Sequence, residues 1–172
     1  ENGQPRWLRG LMVDISKNKQ MEASLRVAAT AFESQEAMTI TDANKVILKI
    51  NHAFTRVTGY SEEEAVGQTP ALLKSGRHDQ AFYQAMWDSL NHKKYWQGEI
   101  WNRRKNGEIY PERLSISAVL DEKGMVTNYV AFFSDITLSK QAQDEIQQLA
   151  FTDPLTGLPN RRLLMDRLKH AL

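Results

Sequence analysis

Residues 96–137 read WQGEIWNRRKNGEIYPERLSISAVLDEKGMVTNYVAFFSDIT, and they carry the strongest indication of the fold. Two polar turns, Lys-Asn-Gly at 105–107 and Asp-Glu-Lys-Gly at 121–124, interrupt runs of apolar and β-branched residues. Asn-Gly between such runs is a strong hairpin signal. We therefore predict three consecutive antiparallel strands, at 98–104, 109–120 and 125–136.

The residues before this stretch predict two more strands and a group of helices. The short β-prone runs 37–41 and 46–50 are joined by a polar turn. Asn51, Ser61 and Asp79 each stand where a side chain can cap a helix. The order of two strands, several helices and three strands indicates an α+β domain with an antiparallel sheet.

Composition excludes several classes of protein. The chain has 172 residues, a formal net charge of +1 and no cysteine. Disulfides, thiolate metal sites and cysteine nucleophiles are therefore excluded. A net charge near zero gives no reason to expect nucleic acid as a partner. No apolar run approaches the roughly 20 residues of a membrane span, so we expect a cytoplasmic chain without direct membrane contact, although a parent protein could be anchored upstream.

Two segments of the chain, residues 7–25 and 129–149, resemble each other. In each, an apolar run leads into Asp-Ile-Ser or Asp-Ile-Thr and then into a polar helical stretch. We predict that residues 1–16 are the tail of a preceding copy of the same domain. The second junction, Asp135-Ile136-Thr137, is then the point of signal transmission from the last strand into a helix, with Thr137 expected to cap that helix.

The segments 17–34 and 138–151 are predicted connecting helices. Their apolar residues recur at spacings of three and four, as in a coiled coil. We expect these flanking helices to pair in a homodimer, and the alternative is that each helix packs on its own domain. The seam residues are Met21, Leu25, Ala28 and Phe32 in the first helix, and Ala142, Ile146 and Leu149 in the second.

The region between the helices resembles a PAS domain over roughly residues 33–140, and we assign 35–137 to that domain. The resemblance implies a PAS fold, in which a five-stranded antiparallel sheet carries helices on one face and is flanked by N- and C-terminal signalling helices. It also implies a pocket between sheet and helices that often holds a small ligand. The features that carry it are Asn51, Phe54, Thr58-Gly59-Tyr60, Glu64, Gly67, Trp96-x-Gly98, the Asn-Arg-Arg-Lys-Asn-Gly run at 102–107 and the closing Asp-Ile-Thr.

The end of the chain carries a second resemblance. Residues 151–162, FTDPLTGLPNRR, resemble the opening of a GGDEF diguanylate cyclase domain, and we assign 152–172 to a truncated start of one. The Gly-Gly-Asp/Glu-Glu-Phe signature is absent. The resemblance therefore implies no catalytic residue and no enzyme activity in this chain. It implies instead a parent protein that makes cyclic di-GMP, in which the cyclase domain is the partner in cis. Whether a phosphodiesterase domain follows the cyclase domain is left open.

Several occupants of the predicted pocket are disfavoured by the residues themselves. Cysteine-linked chromophores are excluded because there is no cysteine. A heme needs an axial ligand, usually His. His92 stands among polar residues at the predicted end of the long helix and His78 stands in a loop, so heme is not expected. The run of three glutamates at 62–64 lacks a further ligand, so no metal site is predicted.

FAD is the candidate cofactor. The stretch from Thr58 to Tyr110 is similar to the flavin-binding PAS domains of redox sensors, and that resemblance implies pocket roles for Trp87 and Asn102, with Trp96 between them. An aromatic wall suits the flavin face, and an amide suits its polar edge. Asn51 is the fourth candidate cofactor-binding residue. Pro70 is a departure, because the flavin-binding regulators can carry an acidic residue there.

The alternatives to FAD are an unidentified small ligand and an empty pocket. With a bound small ligand, the chain would be a sensory module that passes a signal through its helices to the cyclase. With an empty pocket, it would be a ligand-free dimerisation spacer between PAS and cyclase domains. Substitution of Trp87 or Asn102 separates the two, because a spacer would not respond to it.

Overall fold

The computed structural model describes residues 16–151 and residue 160. The predicted preceding repeat at 1–16 and cyclase start at 152–172 therefore lie outside the described residues, apart from Ser16 and Asn160. The helices are α1 (Ser16–Phe32), α2 (His52–Thr58), α3 (Glu62–Ala65), α4 (Gln80–Lys93) and α5 (Thr137–Phe151), with a 3-10 turn at Pro70–Leu73. The strands are β1 (Ala37–Asp42), β2 (Ile47–Ile50), β3 (Tyr95–Arg103), β4 (Ile109–Leu120) and β5 (Val126–Asp135).

The strands form one antiparallel five-stranded sheet in the order β2-β1-β5-β4-β3. The long β3–β4 and β4–β5 hairpins close at the two turns that the sequence predicted. β5 lies in the middle and pairs with β1 on one side and β4 on the other. The predicted five-stranded α+β architecture is therefore confirmed, and the chain leaves the sheet from its central strand.

The core lies on one face of the sheet, under the helices between β2 and β3. Phe54 from α2 and Ala65 from α3 pack against Ile47 and Phe133 of the sheet. Met86 and Leu90 from α4 pack against a second group of strand residues. Because both clusters use the same sheet face, α2, α3 and α4 all cover that face.

The predicted helix caps form as expected. The Asn51 side chain accepts a hydrogen bond from the Phe54 N–H, and Asp79 accepts one from the Phe82 N–H. Ser61 and Glu64 make a reciprocal capping box. Gly59 ends α2 with φ at 80°, a left-handed conformation that glycine adopts without steric cost.

Two expectations need correction. Phe32, assigned to the dimer seam, is only 8% exposed and lies under the ammonium of Lys49, so it packs on its own domain. The first turn of α5 is also capped by a different residue, since Asp135 takes the role expected of Thr137. The carboxylate of Asp135 accepts the Thr137 N–H at 2.8 Å, because the residue two positions earlier points back over the free end of the helix.

Candidate functional site: a cavity between sheet and helices

A cavity of about 260 Å³ lies between the inner face of the sheet and the helices. Small-molecule pockets are typically roughly 300–1,000 Å³, so this one suits a single ring system better than a whole dinucleotide. Its walls are mainly apolar. They include Ile47, Phe54, Leu73, Met86, Trp87, Ile100, Leu114, Ile116 and Phe133.

A polar corner interrupts this apolar wall where β3 and β4 pair. Glu112 and Asn102 line the cavity and are only 1% and 7% exposed. The Asn102 Nδ2 atom donates to Oε1 of Glu112 at 2.8 Å. The hydroxyl of Tyr110 donates to Oε2 of the same carboxyl at 2.7 Å. Each oxygen of the carboxyl therefore has one donor, as a buried carboxyl requires.

Glu112 titrates near neutrality. Burial raises its pKa from 4.5 to about 7, and the hydrogen bonds from Tyr110 and Asn102 oppose that rise. Burial also raises the pKa of Tyr110 above its usual range, so this phenol keeps its proton as a donor to Glu112. The corner thus contains one group that can change charge under physiological conditions.

Two polar atoms of the cavity have no hydrogen-bond partner within residues 16–151. One is the hydroxyl of Tyr83, which is buried, and burial raises the pKa of this phenol. The other is Oδ1 of Asn102, which accepts no hydrogen bond from the described residues but, unlike the Tyr83 hydroxyl, is not sealed from solvent. Buried polar groups are normally paired. A ligand with polar atoms at these two places would satisfy both.

The rim of the cavity carries two exposed lysines. Lys45 places its ammonium 4.0 Å from the centre of the Trp87 ring. Lys74 places its ammonium 4.2 Å from the centre of the Tyr83 ring. Both cations therefore lie over the aromatic residues of the cavity mouth, where an anionic substituent of a ligand would meet them.

The structure brings together only some of the predicted cofactor-binding residues. Trp87 and Asn102 line the cavity. Trp96 does not. It lies over Gly98, where an added Cβ would come within 2.7 Å of the indole, and this contact explains the Trp-x-Gly spacing.

Asn51 is also outside the cavity. Its Oδ1 accepts from the N–H groups of Met38 and Phe54 at 2.9 and 3.0 Å. Its Nδ2 donates to the carbonyls of Phe32 and Glu36 at 2.9 and 2.8 Å. The amide is thus fully used in joining α1, β1 and α2, and none of it is left for a ligand.

Sequence reasoning missed Glu112, Tyr110 and Tyr83. For the first two, the alternation of β4 holds a usable signal. Tyr110, Glu112, Leu114 and Ile116 lie on one face of the strand by its period of two, which places a carboxylate in an otherwise apolar row. Tyr83 follows Phe82 on α4, and no signal in the sequence separates it from an ordinary core aromatic residue.

The polar corner continues to the junction with α5. Arg104 lies with its guanidinium 3.9 Å from the ring centre of Tyr110, and it forms an ion pair with Asp135. Asp135 in turn accepts the first N–H of α5. Ile136 is buried and donates its N–H to the Pro111 carbonyl at 3.1 Å. The side chains of Arg104 and Tyr110 therefore connect residues 135–137 to Glu112 in the cavity wall.

Neither a metal-binding cluster nor a membrane span is found in the part of the chain that the structure describes. No group of three or more metal-binding side chains occurs among the residues that the structure describes. None of the helices in that same region has both the length and the apolar character of a membrane span. His78 accepts the Trp101 N–H at 2.9 Å and stacks on Phe82, so it has a structural role.

Comparison with known proteins agrees with the geometry. The PAS domain family matches residues 35–138. A nitrogen fixation regulatory protein of Klebsiella oxytoca is 33% identical over 67% of the chain and 23% of its own length. The sensor protein FixL of Bradyrhizobium diazoefficiens is 30% identical over 87% of the chain and 31% of its own length. The chain thus spans less than a third of the length of these curated relatives.

Among solved structures, a PAS domain of a Colwellia psychrerythraea protein superposes with a TM-score of 0.63. It is 24% identical, and the match covers 67% of this chain and 98% of that one. At this identity the similarity concerns the fold. It agrees with the sheet order and with the position of the helices on one face.

Proposed function

Because the chain belongs to the PAS domain family, whose sensory fold it has, we propose that it is the sensory module of a bacterial cyclic-di-GMP signalling protein and that its cavity binds the ring system of FAD. The signal leaves through α5 toward a GGDEF diguanylate cyclase domain. The observation that carries the proposal is the continuous polar route from Asn102 and Glu112 through Tyr110 and Arg104 to Asp135.

The cavity supports a flavin ring in three ways. Its apolar walls and its volume suit a planar heteroaromatic ring system. Trp87 of α4 lines the cavity in edge-to-face contact with Tyr129 of β5 and can cover one face of the ring. The unpartnered atoms of Tyr83 and Asn102 can serve polar groups on the ring edge, and Lys45 and Lys74 can meet the phosphates outside the mouth.

The flanking helices support a homodimer. Met21 and Leu25 of α1 are 58% and 65% exposed, and Leu138 and Ile146 of α5 are 81% and 67% exposed. Apolar residues this exposed on a helix indicate a partner surface. Sedimentation of the chain tests the pairing, and we expect Leu25→Glu to shift it to monomer while Ser24→Glu does not. An unchanged dimer in Leu25→Glu would contradict pairing through α1.

The link to a cyclase rests on the motif at 151–162 and on one contact. The side-chain amide of Asn160, in that motif, donates to the Ala150 carbonyl near the end of α5 at 2.8 Å. A domain that begins on this contact would move with α5. We expect Trp87→Phe and Asn102→Ala to change the rate at which the intact parent protein converts GTP to cyclic di-GMP. A parent without this activity under any condition would contradict the cyclase assignment.

An absorbance spectrum of the freshly purified chain, from about 300 to 600 nm, tests the cofactor. We expect flavin bands that bleach on reduction. Trp87→Phe and Asn102→Ala should each weaken FAD retention, whereas Trp101→Phe, on the other face of β3, should not. A colourless protein that also fails to take up added FAD in equilibrium dialysis would overturn the cofactor and favour the dimerisation spacer.

A further inference from the structure

Glu112 is a buried acid that belongs to the proposed signal route but has no part in the proposed contacts with the flavin. It lies on β4 with its side chain in the cavity wall and is 1% exposed. A carboxyl at such a place is costly to bury, and a hydrophobic residue would fill the same volume. Its presence in an apolar row points to a role that depends on its proton.

The hydrogen bonds around Glu112 set the orientation of a second cavity residue. The carboxyl accepts from Asn102 Nδ2 through Oε1 and from Tyr110 through Oε2. Since the carboxyl takes the donor end of the amide, the acceptor end of Asn102, Oδ1, is left toward the cavity. An ionised Glu112 can only accept, so it holds the amide this way round.

We propose that Glu112 is the specificity-determining residue of the cavity, because gaining a proton reverses the Asn102 amide. The cavity then offers an acceptor to its ligand when Glu112 is ionised and a donor when Glu112 is protonated. The inference rests on the proposed function, since it takes the ligand to be a planar heteroaromatic molecule with a polar edge.

The position of the added proton follows from Tyr110. This phenol has no other acceptor for its O–H within the described chain, so it keeps donating to Oε2. The new proton therefore goes to Oε1, the oxygen that faces Asn102. The new O–H of Glu112 and the Nδ2 group of Asn102 would then be two donors facing each other. Rotation of the Asn102 amide by half a turn removes this clash, because the Glu112 O–H can then donate to Oδ1 of Asn102.

Two charged groups near Glu112, one on β5 and one after β3, act on this proton. Asp135 on β5 is the direct cross-strand neighbour of Glu112 and raises its pKa, whereas Arg104 after β3 lowers it. The titratable groups that face the same cavity from the helical side are Lys45, Lys74 and Tyr83. With a pKa of about 7, Glu112 exchanges its proton between slightly acidic and slightly alkaline solution.

The first test uses the whole ligand-free chain. NMR titration would follow the Glu112 carboxyl carbon and the Asn102 side-chain amide, which we expect to change with a common midpoint. Glu112→Gln, which keeps the shape, should remove the change at Asn102, whereas Glu122→Gln in the exposed turn should not. Tyr110→Phe should raise the Glu112 midpoint, because it removes a hydrogen bond that favours the ionised form.

The second test uses two flat probes that differ in polarity. Indole carries an N–H donor, and quinoline carries a ring-nitrogen acceptor. Between about pH 6 and 8 we expect indole affinity to rise and quinoline affinity to fall, each by about 3- to 10-fold, and neither to change in Glu112→Gln.

Three results would overturn the inference. They are an Asn102 amide that titrates equally in Glu112→Gln, a Glu112 carboxyl that stays ionised down to about pH 5, and two probes that respond to pH in the same direction. Failure of FAD to bind would defeat the proposed cofactor but leave these ligand-free and probe measurements intact. A flavoprotein whose Asn102 does not respond to Glu112 would defeat only the inference.

Discussion

The two ends of the domain are attached to their helices in different ways. At the N-terminal junction, the single amide of Asn51 makes four hydrogen bonds to backbone groups of α1, β1 and α2. At the C-terminal junction, Asp135 joins α5 to Arg104 by an ion pair and a backbone bond. Among the described residues, only the second junction continues to the cavity through polar side chains, those of Tyr110 and Glu112.

This difference indicates which helix can respond to a ligand. The N-terminal junction is held by neutral hydrogen bonds between the Asn51 amide and backbone groups, and no charged side chain takes part in them. At the α5 junction, Asp135 and Arg104 are charged, and electrostatic interactions between charges act over a longer range than hydrogen bonds. We therefore propose a structural role for the N-terminal junction and a signalling role for the C-terminal one, and three substitutions test that difference.

Asn51→Ala should have the largest effect. It removes the cap of α2 and leaves buried backbone groups without partners, so we expect a loss of about 3 kcal/mol in the free energy of unfolding. Urea unfolding followed by circular dichroism would measure it. Asn44→Ala in the exposed turn between β1 and β2 is the matched control and should change little. A loss below about 1 kcal/mol would show that the amide is not the anchor of α1.

Asp135→Asn should lower the free energy of unfolding less than Asn51→Ala does, but it should also change the pKa of Glu112 in the cavity wall. Burial opposes the charged form of Asp135, yet hydrogen bonds from Thr137 and Arg104 outweigh it and lower the pKa of the carboxyl. The ion pair therefore stabilises the fold above the ordinary Asp pKa, by about 1 kcal/mol, and this contribution is lost as the pH falls through the lowered pKa.

The measurement has two parts. The unfolding free energies of the original chain and of Asp135→Asn should differ at neutral pH and converge in acid. The same variant should lower the Glu112 pKa, because the charge of Asp135 raises it. Asp144→Asn, exposed on α5, is the control for both parts. An unchanged titration midpoint of Glu112 would show that the α5 junction is not electrostatically coupled to the cavity.

Lys140→Gln should have the smallest effect. Lys140 on α5 lies 2.7 Å from a carboxylate oxygen of Glu99 on β3, and both side chains are well exposed. Its hydrogen bond holds the pKa of Glu99 below the ordinary value. We expect the Glu99 pKa to rise in the variant, by NMR titration, while thermal unfolding stays unchanged, as in the control Lys123→Gln. A clear loss of stability would mean that this outer contact, too, anchors α5.

Local features of the fold were predictable because a few neighbouring residues determine them. The Asn-Gly turn, the caps at Asn51 and Asp79 and the Ser61–Glu64 capping box all form as the sequence predicted. Strand ends were less predictable. β3 begins at Tyr95 rather than at Gly98, because its first residues pair with the far end of β4 and that pairing leaves no local signal.

The candidate site was predictable only in part. Trp87 and Asn102 lie in the cavity as the family resemblance implied. Trp96 and Asn51 lie elsewhere, since a tryptophan beside a glycine and a buried asparagine can serve packing and backbone pairing equally well. Thr137 was expected as the cap, but the position of Asp135 decided that the carboxylate accepts the N–H.

The order of strands and helices along the chain, with their turns and caps, follows from the amino-acid sequence, because contacts within a few residues set these features. The motifs spread along residues 33–140 likewise identify the PAS family. Which polar groups share the cavity depends instead on the pairing of distant strands and on the helices that cover them. The register of β3, β4 and β5 places Asn102 beside Tyr110 and Glu112 beside Asp135. Burial by helices distant in sequence then turns an ordinary glutamate into a group that titrates near neutrality.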